Sequence, residues 1–374
     1  MGFYERLNMP TIINASETYT ALGGSLMDPR AVAAMTEAAK GFVDVPELIK
    51  RVDEKAAELT RNEAAHVTTG ASAGLVLSAA ACLCGSDEAA LKRLPDCSAL
   101  ARKEILLYRG EYLDLIPYWR MIANTGASLV TVEPSIDALR SAINAKTAAI
   151  FLFPGTLYEK DVPDCEETLT ALAACGVPIV VDAAAQLPPV SNLWHYTRDL
   201  GASLCVFSGG KHIRGPQSTG LIVGKRALVD AARLAACPNP FLGRAFKTGK
   251  EELAGFLTAL EIFVTEGGDA LFNRQLRQLE RLADLLREEG IQQLEITNVG
   301  RLGTEQPLLH ALLPQGKTGE GCNQFTRKLP HPVDIGFYGK EFGKPENLIF
   351  LNAYNLTDEQ VEPVARAVGA YVRA

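Results

Sequence analysis

Lys211 is the residue whose surroundings best suit covalent chemistry. It follows Ser208-Gly209-Gly210 in a polar segment between two apolar runs, Leu204–Phe207 and Leu221–Val223. The segment contains too many glycines for a helix, so we expect a loop that joins two buried strands. A lysine held against backbone at the end of a buried strand is partly desolvated, which favours the neutral amine that a Schiff-base lysine needs. The alternative is a solvated lysine in an ordinary surface loop.

Asp182 ends another apolar run. The residues Pro178–Val181 predict a buried parallel strand, and the small residues Ala183–Ala185 after it leave room for a flat ligand. A carboxylate in this position can keep a pyridinium nitrogen protonated, as proteins do for pyridoxal phosphate (PLP). The alternative is a strand-end or N-cap aspartate that accepts hydrogen bonds from backbone amides.

A short turn, Thr69-Gly70-Ala71-Ser72, is suited to anion binding. It follows the apolar run Ala65–Thr68 and precedes an apolar helix predicted from about Ser72 to Cys84. Backbone amides at a helix N-terminus, with hydroxyl groups beside them, form a site for a phosphate. The turn lacks the P-loop lysine and the G-x-G-x-x-G spacing, so neither of those nucleotide-binding motifs is predicted.

The order of these three elements along the chain resembles that of fold-type-I PLP-dependent enzymes. The segments Ile13-Asn14-Ala15, Phe207–Gln217 and Gly243–Glu252 are similar to motifs of the selenocysteine synthase (L-seryl-tRNA(Sec) selenium transferase)-like family. The resemblance extends from about residue 10 to residue 260. It implies an α/β fold of the aspartate aminotransferase type with PLP as cofactor.

Two further details resemble the short branch of this family that includes D-glucosaminate-6-phosphate ammonia-lyase. Asn14-Ala15 is followed by Thr18–Ser25, and Lys211 is followed by Arg214–Ser218. Gly210 stands where the selenium transferases have an acidic residue. Because the chain is acidic and leaves no room for their extra N-terminal RNA-binding segment, tRNA-dependent selenium transfer is not expected.

The resemblance also implies roles for particular residues. Tyr112 is expected to stack on the cofactor ring, with an edge tyrosine as the alternative. Arg244 and Lys247 are expected to hold a small anionic group such as a substrate phosphate, with an exposed basic face as the alternative. The implied cofactor-binding residues are Thr69, Gly70, Ala71, Ser72, Tyr112, Asp182, Gln186, Ser208 and Lys211, and the implied substrate-binding residues are Asn14, Thr18, Tyr19, Tyr158, Arg214, Arg244 and Lys247.

Alternating apolar and helical patterns predict a large domain with a mostly parallel sheet covered on both faces. We expect this PLP-binding domain to span residues 45–240, and residues 1–44 with 241–374 to form an N-terminal arm and a smaller α/β domain. The predicted strands of the large sheet are Ala65–Thr68, Ile105–Tyr108, Ser128–Val132, Ala148–Phe153, Ile179–Asp182, Leu204–Phe207 and Leu221–Val223.

Composition excludes several other classes of protein. The formal net charge of −7 argues against a nucleic-acid partner, and no run approaches the ~20 apolar residues of a membrane span. The eight cysteines and five histidines show no metal-ligand spacing, so no metal is expected and reduced cysteines in the cytoplasm are the simplest interpretation.

The predicted activity is that of a PLP-dependent lyase. It would catalyse α,β-elimination from a small hydroxylated amino acid, for which D-glucosaminate 6-phosphate is a candidate, and release a 2-keto acid and ammonia. Lys211 would hold the cofactor and remove the Cα proton, and Asp182 would keep the pyridine nitrogen protonated. Racemisation, transamination and β-replacement share the same carbanion and stay open, as does a catalytically silent scaffold. By the resemblance, a homodimer or a higher homo-oligomer is expected.

Overall fold

The computed structural model describes residues 2–111, 118–155 and 158–374. The chain forms two compact units. The larger unit is Ser25–Glu266, and the smaller unit combines Gly267–Ala374 with the residues up to Gly24.

The larger unit is built on a seven-stranded sheet with the strand order β2-β8-β7-β6-β5-β3-β4. Only the pairings of β8 with its two neighbours are antiparallel, and the other neighbouring strands run parallel. This confirms the predicted mostly parallel α/β sheet. The strands are β2 Ala64–Thr68, β3 Glu104–Tyr108, β4 Ser128–Val132, β5 Thr147–Leu152, β6 Ile179–Asp182, β7 Leu204–Ser208 and β8 Gly220–Gly224, and β1 (Ile13–Ala15) belongs to the smaller unit.

Both faces of this sheet are buried. Ile105 and Leu107 of β3 lie in one hydrophobic core, whereas Leu106 and Tyr108 lie in the other. Strands buried on both faces are apolar throughout, which is why the sequence pattern located them. The helices of this unit are α2 Pro29–Ala38, α3 Val45–Leu59, α4 Gly70–Cys84, α5 Glu88–Arg93, α6 Ile136–Ala142, α7 Cys165–Leu172, α8 Asn192–Trp194, α9 Arg226–Ala235 and α10 Lys250–Glu266, and the four-residue α1 (Phe3–Arg6) precedes β1.

The larger unit extends beyond the predicted boundaries at residues 45 and 240. Helices α2 and α10 pack on each other, and a Cβ added to Gly255 of α10 would lie 2.6 Å from Cγ of Met35 of α2. Phe256 of α10 is fully buried in the core under the sheet. Apolar contacts therefore place both helices in the larger unit, although Pro238 and Pro240 mark a break in the sequence.

A buried charged network joins α3, β2 and α9. The Asp53 carboxylate, which is 2% exposed, accepts hydrogen bonds from the Val67 backbone amide (3.0 Å) and from Nε of Arg233 (2.9 Å), and it lies 2.8 Å from Nδ1 of His66. A buried charge is tolerated when it is paired and hydrogen-bonded in this way. The network therefore fixes β2, and with it the turn that follows β2.

The smaller unit contains a five-stranded sheet with the order β1-β11-β12-β10-β9. Strand β1 pairs with β11 in parallel, and the remaining pairs are antiparallel. No helix among the described residues is long and apolar enough to cross a membrane. The elements are β9 Leu294–Thr297, β10 Leu308–Leu312, β11 Val333–Phe337 and β12 Leu348–Leu351, with helices α11 Asp269–Glu288, α12 Gly319–Thr326 and α13 Val361–Arg373.

Candidate active site

Three of the predicted site elements lie at one edge of the large sheet. Thr68, at the end of β2, pairs with Gly220, and Gly220 pairs on its other side with Ser208 at the end of β7. Asp182 is the last residue of β6 and pairs with Val206 of β7. The carboxyl ends of parallel strands form the usual ligand-binding edge of such sheets, and all three elements lie at that edge.

The loop that carries Lys211 is tightly folded. The amide of Gly209 donates to the carbonyl of Thr219 (2.8 Å), and the amide of Gly215 donates to the carbonyl of Gly209 (2.8 Å). A Cβ at Gly210 would lie 2.4 Å from Cα of Gln217, so the residue before Lys211 must be glycine for the two backbone segments to approach. Lys211 is half-buried, as expected for a lysine at the end of a buried strand.

The Asp182 carboxyl lies in the field of the Lys211 amine. Burial raises the pKa of Asp182, whereas the hydrogen bond from the Ala184 amide (3.1 Å) and the charge of Lys211 act in the opposite direction. A raised carboxyl pKa reflects the cost of holding a charge away from water. A cationic ring nitrogen beside Asp182 would remove part of that cost.

The turn after β2 provides an uncapped helix N-terminus. Gly70 has a φ of +75°, and the Thr69 side chain makes no capping hydrogen bond to α4. A Cβ at Gly220 would lie 2.4 Å from the Gly70 carbonyl carbon, so the two backbones are in close contact. The 15-residue helix α4 therefore presents its first backbone amides, and its dipole, without a side-chain cap.

Thr248 links the predicted basic pair to this turn. Its hydroxyl lies 3.1 Å from the Thr69 hydroxyl. Arg244 and Lys247 are exposed on the same segment, and Nη1 of Arg244 lies 3.6 Å from Sγ of Cys237. The segment that carries Arg244 and Lys247 therefore contacts the anion-binding turn. The turn and this segment are 179 residues apart in sequence, so the sequence did not indicate the contact.

Other predicted site residues of the larger unit make hydrogen bonds within the protein. Nε2 of Gln186 donates to the carbonyl of Pro154 (3.0 Å), and Nε of Arg214 donates to the carbonyl of Leu26 (2.7 Å). Tyr158 is half-buried, with its ring 6.2 Å from that of Phe153. Tyr112 lies outside the described residues. The ligand contacts expected of these four residues stay predictions.

The predicted residues of the N-terminal arm belong to the smaller unit. Oδ1 of Asn14 accepts hydrogen bonds from the amide and the hydroxyl of Ser16 (both 3.0 Å), and Nδ2 donates to the carbonyl of Glu17 (2.9 Å). Thr18 is buried, and the Tyr19 ring faces Arg301 at 5.5 Å. The Asn14 side chain thus stabilises the turn at the end of β1, and its predicted role in substrate binding stays a prediction.

Ser25 contacts the lysine loop, which no sequence pattern had indicated. Its amide donates to the carbonyl of Gly210 (2.9 Å), and its hydroxyl lies 2.6 Å from the carbonyl oxygen of Lys211. The amide of Arg214 donates to the same Lys211 carbonyl (3.0 Å). The backbone on both sides of the Lys211 amide is therefore held by residue 25, which no local pattern around residue 211 could indicate.

We expect Ser25→Ala to lower kcat about 5-fold with little change in KM, because the loss of a hydrogen bond of about 1 kcal/mol frees the Lys211 backbone. Steady-state kinetics, together with a pH titration of the visible absorption of the lysine-bound cofactor, measure the effect. Ser25→Thr keeps the hydroxyl and should retain most of the rate. Unchanged kcat in Ser25→Ala would show that the amide hydrogen bond alone fixes the loop.

Comparisons with known proteins show which family the chain belongs to. No family model matches the chain. D-glucosaminate-6-phosphate ammonia lyase of Salmonella typhimurium is 31% identical over 266 residues, which are 70% of this chain and 69% of that protein. The chain belongs to the fold-type-I PLP-dependent family of this lyase. A second relative, 5'-C-glycyluridine monooxygenase-decarboxylase of a Streptomyces species, is 32% identical over 291 residues, or 75% of this chain and 70% of that protein.

Solved structures show the same fold for this member of the fold-type-I family. The structure of D-glucosaminate-6-phosphate ammonia-lyase superposes with a TM-score of 0.83 at 23% identity, covering 100% of this chain and 98% of that one. A serine palmitoyltransferase solved with PLP gives a TM-score of 0.60 at 15% identity, covering 97% and 88% of the two chains. These likenesses confirm the predicted aspartate aminotransferase-type architecture.

The residues at the sheet edge fit the PLP of this family. An uncapped helix N-terminus suits the phosphate, the half-buried Asp182 carboxyl suits the pyridinium nitrogen, and the nearby Lys211 amine suits the aldehyde. Glycines at positions 70 and 220 leave the turn without side chains where its backbone meets β8. No other cofactor is required to explain this combination of groups.

Proposed function

We propose that the chain is a PLP-dependent ammonia-lyase that eliminates the β-hydroxyl of a small hydroxylated amino acid, with D-glucosaminate 6-phosphate as the substrate to test first. The observation that carries this proposal is the meeting of Lys211, Asp182 and the uncapped N-terminus of α4 at one sheet edge. The 31% identity to the Salmonella lyase supports the choice of reaction and substrate.

PLP supplies an electron sink that stabilises negative charge at the substrate Cα. Asp182 would accept the hydrogen bond of the ring nitrogen and keep the proton on that nitrogen. The free amine of Lys211 takes the proton from Cα, and its conjugate acid delivers a proton to the departing β-hydroxyl, which leaves as water. Hydrolysis of the released enamine takes up one water, so that the net products are a 2-keto acid and ammonia.

A smaller set of residues is proposed to orient the substrate. Arg244 forms a bidentate pair with a terminal phosphate and Lys247 adds a point charge. Thr248, on the same segment, contacts Thr69 of the proposed cofactor phosphate site. We further propose a cytoplasmic homo-oligomer of at least two copies, because the cysteines of the described residues are all free thiols and fold-type-I sites form at subunit interfaces.

The test is an incubation of PLP-loaded enzyme with D-glucosaminate 6-phosphate, followed by assays for ammonia and for the keto acid. We expect both products in equal amounts, at the same rate with and without oxygen. No keto acid from this substrate or from a panel of D- and L-hydroxyamino acids would overturn the lyase assignment.

Oxygen-dependent decarboxylation is the second candidate, favoured by the 32% identity to the Streptomyces monooxygenase-decarboxylase. The same incubation separates the two reactions, because a decarboxylase of this kind consumes oxygen and releases carbon dioxide. Carbon dioxide release that stops under anaerobic conditions would favour this candidate over the lyase.

We expect Arg244→Ala to raise KM for the phosphorylated substrate by about 10- to 100-fold, because it removes a charge-assisted pair of hydrogen bonds. The dephosphorylated analogue should be turned over by wild type and variant with equal KM. Steady-state kinetics on both substrates provide the measurement. Arg140→Ala is the control, since Arg140 is an exposed arginine that pairs with Asp137. Equal losses on the two substrates would remove the phosphate role.

A further inference from the structure

The first two turns of α10 lie against the lysine loop (residues 209–219). A Cβ added to Gly255 would lie 3.1 Å from Cγ of Pro216, and a Cβ added to Gly209 would lie 2.8 Å from the Phe256 ring. Residues 252, 255 and 256 share one face of α10, because positions three and four apart are neighbours on a helix surface. Glu252 therefore brings a carboxylate to the face of α10 that contacts the lysine loop.

The half-buried Glu252 carboxylate joins two segments through its two oxygens. Oε1 accepts a hydrogen bond from the Ser218 hydroxyl of the lysine loop. Oε2 accepts a hydrogen bond from the Gly249 amide (2.7 Å), just before α10 begins. The second bond is the usual cap that an acidic residue in the first turn provides for a helix. The first bond is not needed for capping, and it ties α10 to the lysine loop.

Ser218 lies on the limb of the lysine loop opposite Lys211. A Cβ added to Gly210, the residue before Lys211, would lie 2.4 Å from Cα of Gln217, the residue before Ser218. The two limbs are therefore in close contact, and a shift of Ser218 would move the backbone next to Lys211. Because the Ser218 side chain is exposed, its hydroxyl makes this bond outside the hydrophobic core.

Gly249 belongs to the segment that contacts the phosphate turn. It follows Thr248, whose hydroxyl is 3.1 Å from the hydroxyl of Thr69. Residues 244–249 join α9 to α10 and lie outside the strands of the large sheet, so strand pairing does not fix their position. The bond from Gly249 to Glu252 provides this fixation at the end of the segment nearest the turn.

We propose that Glu252 is a positioning residue that fixes the spacing between the two ends of the cofactor site. One end is Lys211, which bonds the aldehyde of PLP, and the other is the turn before α4, which takes the phosphate. A ligand held at two points binds tightly only where those points are kept at the right separation, because the second contact then forms at a high effective concentration. Glu252 acts through Ser218 and Gly249. The proposal rests on the assignment of these two ends in the proposed function.

The test compares PLP with pyridoxal, which has the same ring and aldehyde but no phosphate. The full-length protein is loaded with either compound, and release after dilution is followed by the loss of visible absorption. We expect Glu252→Ala to speed the release of PLP by about 10- to 100-fold and to leave that of pyridoxal within about 2-fold of wild type. Glu252→Gln should retain PLP nearly as wild type does, because the amide can accept from Gly249 and donate to the Ser218 hydroxyl.

Ser218→Ala removes the link to the lysine loop and leaves the cap of α10 intact. We expect it to speed PLP release by about 3- to 10-fold and to fold normally, since Ser218 is exposed. Adding Ser218→Ala to Glu252→Ala should cause no further loss, because the same link is then removed twice. Glu251→Ala is the matched control, since Glu251 lies in the same turn of α10 but pairs with Lys250.

A plain helix cap would give a different pattern. Glu252→Ala would then lower the melting temperature, while Ser218→Ala would retain PLP as wild type does, and this result would overturn the proposal. Equal acceleration of PLP and pyridoxal release would also overturn it. Failure of the site assignment is seen in wild type alone, either as PLP release as fast as that of pyridoxal or as borohydride trapping of the cofactor at a lysine other than Lys211.

Discussion

Lys211→Ala is expected to reduce turnover by about 10⁴-fold or more, because it removes both the amine that holds the cofactor and the base that takes the Cα proton. The loss should fall on kcat rather than on folding, since the hydrogen bonds of Ser25 and Arg214 to the Lys211 carbonyl are to the backbone and stay in place in the variant. Steady-state kinetics and thermal unfolding of the variant give the two measurements.

Chemical rescue makes the test of Lys211 specific. If the missing group is an amine that moves a proton, added methylamine should restore part of the rate of Lys211→Ala, with a pH profile set by the added amine. Lys225→Ala is a matched control, because Lys225 is an exposed lysine just beyond β8. Wild-type turnover in Lys211→Ala would refute the assignment of the base.

Asp182→Asn is expected to lower kcat by about 10²- to 10³-fold, since an amide cannot stabilise a positive charge on the ring nitrogen as a carboxylate does. PLP should still bind, because the N-terminus of α4, and not residue 182, would hold its phosphate. The variant should also fold normally, because removing the carboxylate removes the desolvation that raises the Asp182 pKa.

Two measurements check this prediction. Single-turnover kinetics follow the proton transfer from Cα, and dialysis against buffer follows loss of the cofactor. We expect a slow proton transfer with cofactor retention within a few-fold of wild type. A variant that loses PLP but recovers its full rate in excess cofactor would show that Asp182 serves binding and not catalysis. Asp199→Asn, at an exposed position, is the control.

The larger sheet could be predicted almost entirely, because strands buried on both faces are continuous apolar runs. The smaller sheet was harder. Val333–Phe337 contains Asp334, which is buried beside Arg327 and Ser16, and Gly336, where the Phe350 ring occupies the space of a side chain. Asp334 and Gly336 interrupt the apolar residues of this strand, so the local pattern around residue 334 does not resemble a buried strand.

Some residues of the candidate site could likewise be predicted from the sequence and others could not. Asp182, Lys211 and the turn at Thr69 were found because each follows an apolar run, and the ends of parallel strands meet at one edge. Ser25 and Thr248 were missed because their partners are 186 and 179 residues away.

The reversed direction of β8 has a consequence for how this family can diversify. Because β8 returns beside β7, the Lys211 segment is a hairpin that is anchored at Ser208 and again at Gly220. Adding or deleting a residue inside it would shift one anchor against the other and disrupt pairing on both sides of β8. New specificities should therefore arise by altering segments outside this hairpin, while its length stays constant among homologues with different substrates.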